Sequence, residues 1–499
     1  MSRPEHTVLV RPGSFEPVRH FYPRVLNAQI HPLVRYFMDL GNARIIERYH
    51  HLHPEADRDA VERAFSTRTK RFHWGGADLF HTTNEEGHRR MVVIETNSCP
   101  SGNKSMPLLL EREERAGYHE LLSRSFLPLL ARRGLPNGEL AVLYDKNPME
   151  TSAYAATLAD LTQTPVHFVP CFENDDDPKH RFDEQGTLHI RTADGDWVPI
   201  RAALRYVTQR PWTRIPPISR SLIFNPVLVC LAGGRNKLLA AKAYDLFNAQ
   251  IAGDGLAIHV PETIWDVSRG EIPIWVRRMG GVAVVKNPYS NAGQGVWTIT
   301  SPEELEAFME LEHHYDRFIV QALIGNVRWS SRGHEGRLYH VGTVPGREGK
   351  IYAADLRMMV GNGPSGFFPV AIYARRARSP LAVDIGGGQS SWSMLGTNLS
   401  VRQADGSWST ESERLMLMDS RDFNRLGVGF DDLVEAYLQT VLSVTAIDSM
   451  AKNLTTQKGR FRRKLFASLN PDPTLVDEIM HLPVPPDVPS GPSSSPQLV

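Results

Sequence analysis

Residues 75–105 read GGADLFHTTNEEGHRRMVVIETNSCPSGNKS, and this stretch decides the fold. Two runs of strand-forming residues flank a polar turn at Asn84–Gly87, which predicts a β-hairpin over 73–97. Strand side chains alternate between faces, so Glu95 and Asn97 point the same way. The turn near Glu86 brings Asp78 across from Ile94 and Glu95. The hairpin therefore gathers two carboxylates and an amide oxygen at one end of a sheet. Hard oxygen donors of this kind suit magnesium, which takes one or two carboxylates together with water and nucleotide phosphates. The plainer alternative is a solvated polar face. The apolar run Val92-Val93-Ile94 leads straight into Glu95 and favours a buried strand that empties into a polar site.

Downstream, GGVAVVKNPYSNAGQGVWTIT (280–300) delivers Lys286 at the end of an apolar strand. A loop with Gly293 and Gly295 follows, then a second strand. A lysine there can meet phosphate oxygens as a point charge, and the glycines let backbone N–H groups approach and the loop close as a lid over 287–295. In GGRNKLLAAKAYDLF (233–247), Lys237 falls in the first turn of a helix, where anions are favoured; Lys242 reads as a solvated helix lysine. A strand ending at Gln321–Leu323 can offer backbone groups to a base edge. Asp355 and Arg357 share a strand face, and 374–378 carries three arginines that suit an anionic ligand or a surface loop.

Around these motifs the pattern predicts helix over 25–70 and 107–130, strands at 140–144 and 166–169 with a helix between them, and a long helix over 430–453. The Pro/Ser-rich end from about Leu482 reads as disordered. Lys+Arg and Asp+Glu each number 56, so the formal net charge is zero, which argues against nucleic acid or a membrane surface as partner. The three cysteines, Cys99, Cys171 and Cys230, form no CxxC pair or disulfide framework. With no apolar span, a cytoplasmic protein is expected, and a homodimer is the default symmetric assembly. Gly361-x-Gly363-x-x-Gly366 fits a dinucleotide fingerprint only as a string, because a strand and not a helix follows it.

Taken together, the motifs resemble the ATP-grasp superfamily of carboxylate–amine ligases. The hairpin is similar to the magnesium strands of D-alanine–D-alanine ligases, with Asp78, Glu95 and Asn97 standing for the family's Asp and Glu-x-Asn. By the same resemblance Lys237 and Lys286 are the two ATP-phosphate lysines, Gly293 and Gly295 the glycine loop, and Gln321 and Leu323 the adenine hinge. Ser101, Gly102 and Ser105 match a substrate-contacting loop, and Arg357 and Arg376 match catalytic arginines near the γ-phosphate and acyl group. The Glu-x-Asn strand precedes the Lys286 loop, which resembles the circularly permuted ATP-grasp group that includes eukaryotic glutathione synthetase. In that enzyme the glycine loop carries a metal-binding glutamate. Here the loop after Lys286 has no acid, which leaves the work to Asp78.

The resemblance implies a mixed α+β and α/β fold, a circularly permuted ATP-grasp with two α+β lobes around the nucleotide and a small parallel-sheet domain before them. The expected divisions are 1–135 (completing the large lobe), 136–235 (the small α/β substrate domain), 236–315 (the small lobe with its lid), 316–481 (the large lobe) and 482–499 (the tail). It implies ATP and Mg2+ as cofactors, and small-molecule carboxylate and amine substrates of the amino-acid, peptide or polyamine class. The implied reaction forms an amide through an acylphosphate and releases ADP and phosphate. An ATP-dependent phosphotransferase and a non-catalytic nucleotide-binding protein are the other readings.

Overall fold

The computed structural model describes residues 6–110, 114–290, 293–334, 336–341, 344–345, 349–385, 390–402 and 408–480. The expected tail, 482–499, lies outside them. The strands that position the site begin with the hairpin, β1 (Trp74–Thr83) and β2 (Arg89–Ser98). Next come β3 (Glu139–Tyr144), the helix α1 (Pro148–Thr162), β4 (Val166–Pro170) and β5 (Trp197–Tyr206). After these stand α2 (Lys237–Ile251), β6 (Ala283–Lys286), β7 (Val296–Ile299) and β8 (Arg317–Gln321). The long antiparallel pair β9 (Ala354–Gly363) and β10 (Gly366–Arg376) follows, then the helix α3 (Phe430–Asn453).

Among the described residues the fold is mixed α+β, with three main sheets and two short two-stranded ones. In the largest antiparallel sheet β2, β1, β9 and β10 lie side by side, with Leu415–Met416 at the far edge and Tyr339–His340 against the distal end of β1. A second antiparallel sheet runs Thr263–Ser268, β8, β6, β7. It closes its own small core around Val285, Phe308, Phe318 and Val320. In the third sheet β4, β3, β5 and Leu222–Phe224 are parallel, and α1 makes the β3–β4 crossover. Strands covered on both faces read as near-continuous apolar runs, which is why Leu140–Tyr144 is buried throughout.

The hairpin is anchored at both ends by buried polar side chains. The Asp448 carboxylate on α3 accepts hydrogen bonds from the backbone N–H of Lys70, Arg71 and Phe72 at 2.7–3.1 Å, just before β1. Asn225 accepts from the N–H of His73 and Trp74 and donates to the Trp74 carbonyl. Glu435, also on α3, accepts from the Met91 N–H at 3.0 Å and steadies the outer strand. The tip is set by Asn84, whose side-chain oxygen accepts from the N–H of Glu86 and His88.

Several expectations are corrected. The 25–70 segment is four helices, Pro23–Leu26, Pro32–Asp39, Asn42–Leu52 and Arg58–Ser66, because proline starts the first two and Gly41 interrupts the run. The helix expected from Pro107 begins at Ala116, and 111–113 lie outside the described residues. Val8–Val10 pairs antiparallel with β4 at the edge of the third sheet. The helix α2 packs into the main core, and β8 pairs with β6 in the second sheet.

Candidate active site

The register of the large sheet lines up its charged residues. Asp78 is directly opposite Glu95 on one side and Arg357 on the other, and Arg357 is opposite Tyr373. One row thus reads Glu95, Asp78, Arg357, Tyr373 across β2, β1, β9 and β10. Directly opposite residues share a sheet face, and so do residues two apart along a strand. Asp355 and Arg375, which pair with each other, therefore stand on the same face in the next row. A bulge places Glu95 against Asp78 and Val93 against Leu79, leaving Ile94 as the extra residue and re-aiming Glu95.

This face looks onto the sheet of β6–β8 across a cavity of about 830 Å³, its open mouth included. The size is ordinary for a small-molecule site. Its apolar walls come from Phe80, Val284, Leu323, Ile324, Trp392 and Leu395. Its ionic walls come from Asp78, Glu95, Lys237, Lys286, Asp355 and Arg375. A nucleotide needs both kinds of surface.

At the lysine end, Lys286 Nζ donates to Gln321 Oε1 at 2.6 Å and reaches the Ile94 carbonyl at 3.5 Å. Burial pulls the Lys286 ammonium down to about 8, with Glu95 opposing the fall. Lys237 Nζ lies 3.4 Å from Glu95 and donates to the Ser290 hydroxyl and carbonyl. Asn236, and not the Gly-Gly pair, caps α2 by accepting from the Leu239 N–H, which fixes Lys237 in the first turn. Burial raises the Glu95 carboxyl, but the cations around it, Lys237 foremost, bring it below its ordinary value.

At the arginine end, Arg357 clamps Asp78 in a fork at 2.5 and 2.6 Å, and Arg375 adds a third contact at 3.0 Å. Burial works against that ionised carboxylate, yet Arg357 and Arg375 hold it well below the usual carboxylate range. Arg375 also forks onto Asp355, which accepts from the Thr397 hydroxyl at 2.9 Å. Beyond Arg357 the chain continues to the Tyr373 hydroxyl at 3.0 Å, which donates to the Ser101 carbonyl.

Ser101, Gly102 and Ser105 lie together in a buried turn beneath this row. Glu150, fully buried near the start of α1, accepts from the Ser101 hydroxyl and from the N–H of Gly102 (2.8 Å) and Asn103 (3.0 Å). A Cβ at Gly102 would lie 2.2 Å from Met359 Sδ, so only glycine lets the turn approach the sheet. In the loop after Lys286, Gly293 has φ +76° and a Cβ there would meet the Asn398 side chain at 2.5 Å.

The structure brings Asp78, Glu95, Lys237, Lys286, Gly293, Gln321 and Leu323 to one cavity. Gly295 lines a neighbouring cavity instead, beside the 287–295 loop, of which 291 and 292 are outside the described residues. Asn97 is buried two residues beyond Glu95, its amide nitrogen without a hydrogen-bond partner, and does not line the cavity. Leu323 contributes its side chain, but its backbone N–H and C=O are both bonded to Ser331, so the expected base-facing backbone is already engaged. Arg376 falls on the opposite sheet face, 4.8 Å above the Tyr352 ring, and Arg375 stands in the site instead. Strand alternation alone could have separated the two. Glu150 gave no sequence signal, because only the fold brings α1 to the Ser101 turn. Lys242 is not free in solvent: it donates to the Leu469 carbonyl and lies over Trp265. The Cys99 thiol is buried and pushed up to about 11 by burial, as suits a structural residue.

The donor set fits magnesium at one position. Asp78 has its oxygens taken by two arginines and is a counter-ion, not a free ligand. Glu95 is partly open to the cavity and, among the described residues, its one ion pair is with Lys237, so it could give an oxygen to a cation.

No family model matches the chain, and no curated protein matches it. Among solved structures it is similar to a RimK-domain ATP-grasp protein from Sphaerobacter thermophilus, with 16% identity over 47% of this chain and 90% of the other, at a TM-score of 0.28. It is also similar to a glutathione synthetase-like effector from Globodera pallida, with 10% identity over 74% of this chain and 87% of the other, at a TM-score of 0.36. A D-alanine–D-alanine ligase from Coxiella burnetii aligns with 47% of this chain and 85% of its own length, at 11% identity and a TM-score of 0.21. Among the described residues no helix is long and apolar enough to cross a membrane.

Proposed function

We propose that this protein is an ATP-grasp enzyme of the circularly permuted type, an ATP-dependent carboxylate–amine ligase that works through an acylphosphate and releases ADP and phosphate. The observation that carries the reading is the convergence of Lys237, Lys286 and Glu95 with an apolar wall in one cavity between two sheets. Lys237, paired with Glu95, and Lys286, bonded to Gln321, would make a phosphate-binding end, and Val284, Leu323 and Ile324 a base-binding end.

In this account Lys237 and Lys286 exchange their present partners, Glu95 and Gln321, for phosphate oxygens. Glu95 would then be the residue able to hold magnesium, which when bound would supply positive charge to offset that of the phosphates. The acid substrate sits between the Ser101–Ser105 turn and the cavity. Its carboxylate oxygen attacks the γ-phosphorus, and the bond to the β-phosphate oxygen breaks with its electron pair leaving on ADP. The amine nitrogen then attacks the acyl carbon, the C–O bond to phosphate breaks, and the amine gives up its proton. Arg357 and Arg375, fixed by Asp78 and Asp355, supply positive charge that needs no reorganisation during transfer. Arg376 has no part in it.

Hydroxylamine traps acylphosphates as hydroxamates. The test is hydroxamate formation by the purified chain with magnesium-ATP and a panel of amino acids, dicarboxylates and short peptides. Hydroxamate from at least one acid is expected. ADP release with a phosphorylated acid that never yields hydroxamate would replace the ligase by a phosphotransferase.

A further inference from the structure

Beyond α3 the chain returns to the lysine end of the cavity. The link 470–472 joins two short helices, Arg463–Leu469 and Pro473–Met480, and its polar residues Asn470 and Asp472 are both 0% exposed. Polar side chains buried so deeply need partners, and these find them on two separate elements. One Asp472 oxygen accepts from the N–H of Asp316 (2.8 Å) and Arg317 (2.9 Å), where β8 begins. The other accepts from the Leu475 N–H at 2.8 Å and caps the helix that follows. Asn470 Oδ1 accepts from Asn236 Nδ2 at 3.1 Å, and the Leu469 carbonyl accepts from Lys242 Nζ at 2.7 Å. The link thus ties the start of α2 to the start of β8.

Those two elements set the places of both lysines. The Asn236 amide has two tasks: its oxygen accepts from the Leu239 N–H in the first turn of α2, and its nitrogen is anchored on Asn470. Lys237 is the next residue, and its own N–H donates to the Pro288 carbonyl at 2.7 Å, at the root of the glycine loop. β8 runs beside β6 with Ile319 opposite Lys286, and it ends at Gln321, to which Lys286 donates. The buried Asn470 amide nitrogen has no hydrogen-bond partner, so the oxygen is the atom through which this side chain acts.

We infer that Asn470 is a positioning residue for the phosphate end: through Asn236 it holds Lys237 at a fixed reach from Lys286, on a link that Asp472 fastens to β8. This rests on the nucleotide reading above, and the test separates the two. Asn470→Leu keeps the size and removes the acceptor, whereas Asn236→Ser keeps a cap for α2 but cannot reach Asn470. In the full-length chain each is expected to raise the Kd of magnesium-ATP about fivefold or more, as loss of one buried hydrogen bond should. The double variant should bind no more weakly than the weaker single one, because both act through one bond. The Kd of adenosine, which carries no phosphate, should stay within about twofold, whereas a general loosening would weaken both ligands alike. Calorimetric titration gives these values. Unchanged ATP affinity, an equal loss for adenosine, or losses that add in the double variant would overturn the assignment. If the wild type binds no magnesium-ATP, the nucleotide reading has failed and Asn470 is judged by hydrogen exchange. The first turn of α2, with the Leu239 N–H, should then exchange about fivefold faster or more in Asn470→Leu while α1 is unaffected. Equal exchange in the two proteins would reject the positioning role.

Discussion

Asp78 and Glu95 face each other across one hairpin and do opposite work. Asp78 is enclosed by two guanidiniums, whereas Glu95, among the described residues, is paired with one lysine. Removing one member of a buried ionic cluster leaves uncompensated charge, at a cost of roughly 3–5 kcal/mol. Asp78→Asn is therefore expected to lower the denaturation midpoint clearly while magnesium dependence of nucleotide binding persists. Glu95→Gln should do the reverse. Denaturant melts and nucleotide titrations with and without magnesium check the pair, and a magnesium dependence lost in Asp78→Asn would contradict the counter-ion role. Lys286 adds a pH signature. Burial sets its ammonium near 8 in the free protein. Below that pH it is charged and ready for phosphate; above it, binding must take up a proton. Nucleotide affinity should fall by up to about tenfold per unit as pH rises from 8 to 10. Lys286→Arg, charged throughout, should flatten the profile, and an unchanged slope in that variant would remove Lys286 from the phosphate site.

At the scale of elements, the hairpin is a precise platform because α3 holds its base. The Asp448 carboxylate, 1% exposed, serves three consecutive backbone N–H groups. Asp448→Asn keeps the size but weakens all of these bonds, and should cost roughly 2–4 kcal/mol. A thermal melt measures it, and no change would mean that the hairpin is held elsewhere. The hairpin and α3 were legible in the sequence because alternation and helical period extend over many residues. What escaped was local or long-range. The motif match points to Arg376, but Arg375, one residue away and on the other face of β10, stands beside Asp78. Glu150 and Asp448 act through contacts distant in sequence, of which no pattern gives notice. Leu323 was expected to offer its backbone, but Ser331, eight residues on, returns to occupy it.

At the scale of the molecule, the cavity lined by Asp78, Glu95 and Lys286 lies between the large sheet and the sheet of β6–β8, while the Ser101 turn and α1 tie the parallel sheet to the large one. The row Glu95, Asp78, Arg357, Tyr373 joins the lysine end to the Ser101 turn. The most direct test is ADP release by the purified chain with magnesium-ATP, across pooled amino acids, small peptides and polyamines, beside a Glu95→Ala control. The account predicts release that requires both an acid and an amine and disappears in the control. Absence of any magnesium-dependent ATP binding, or release that persists undiminished in Glu95→Ala, would contradict it.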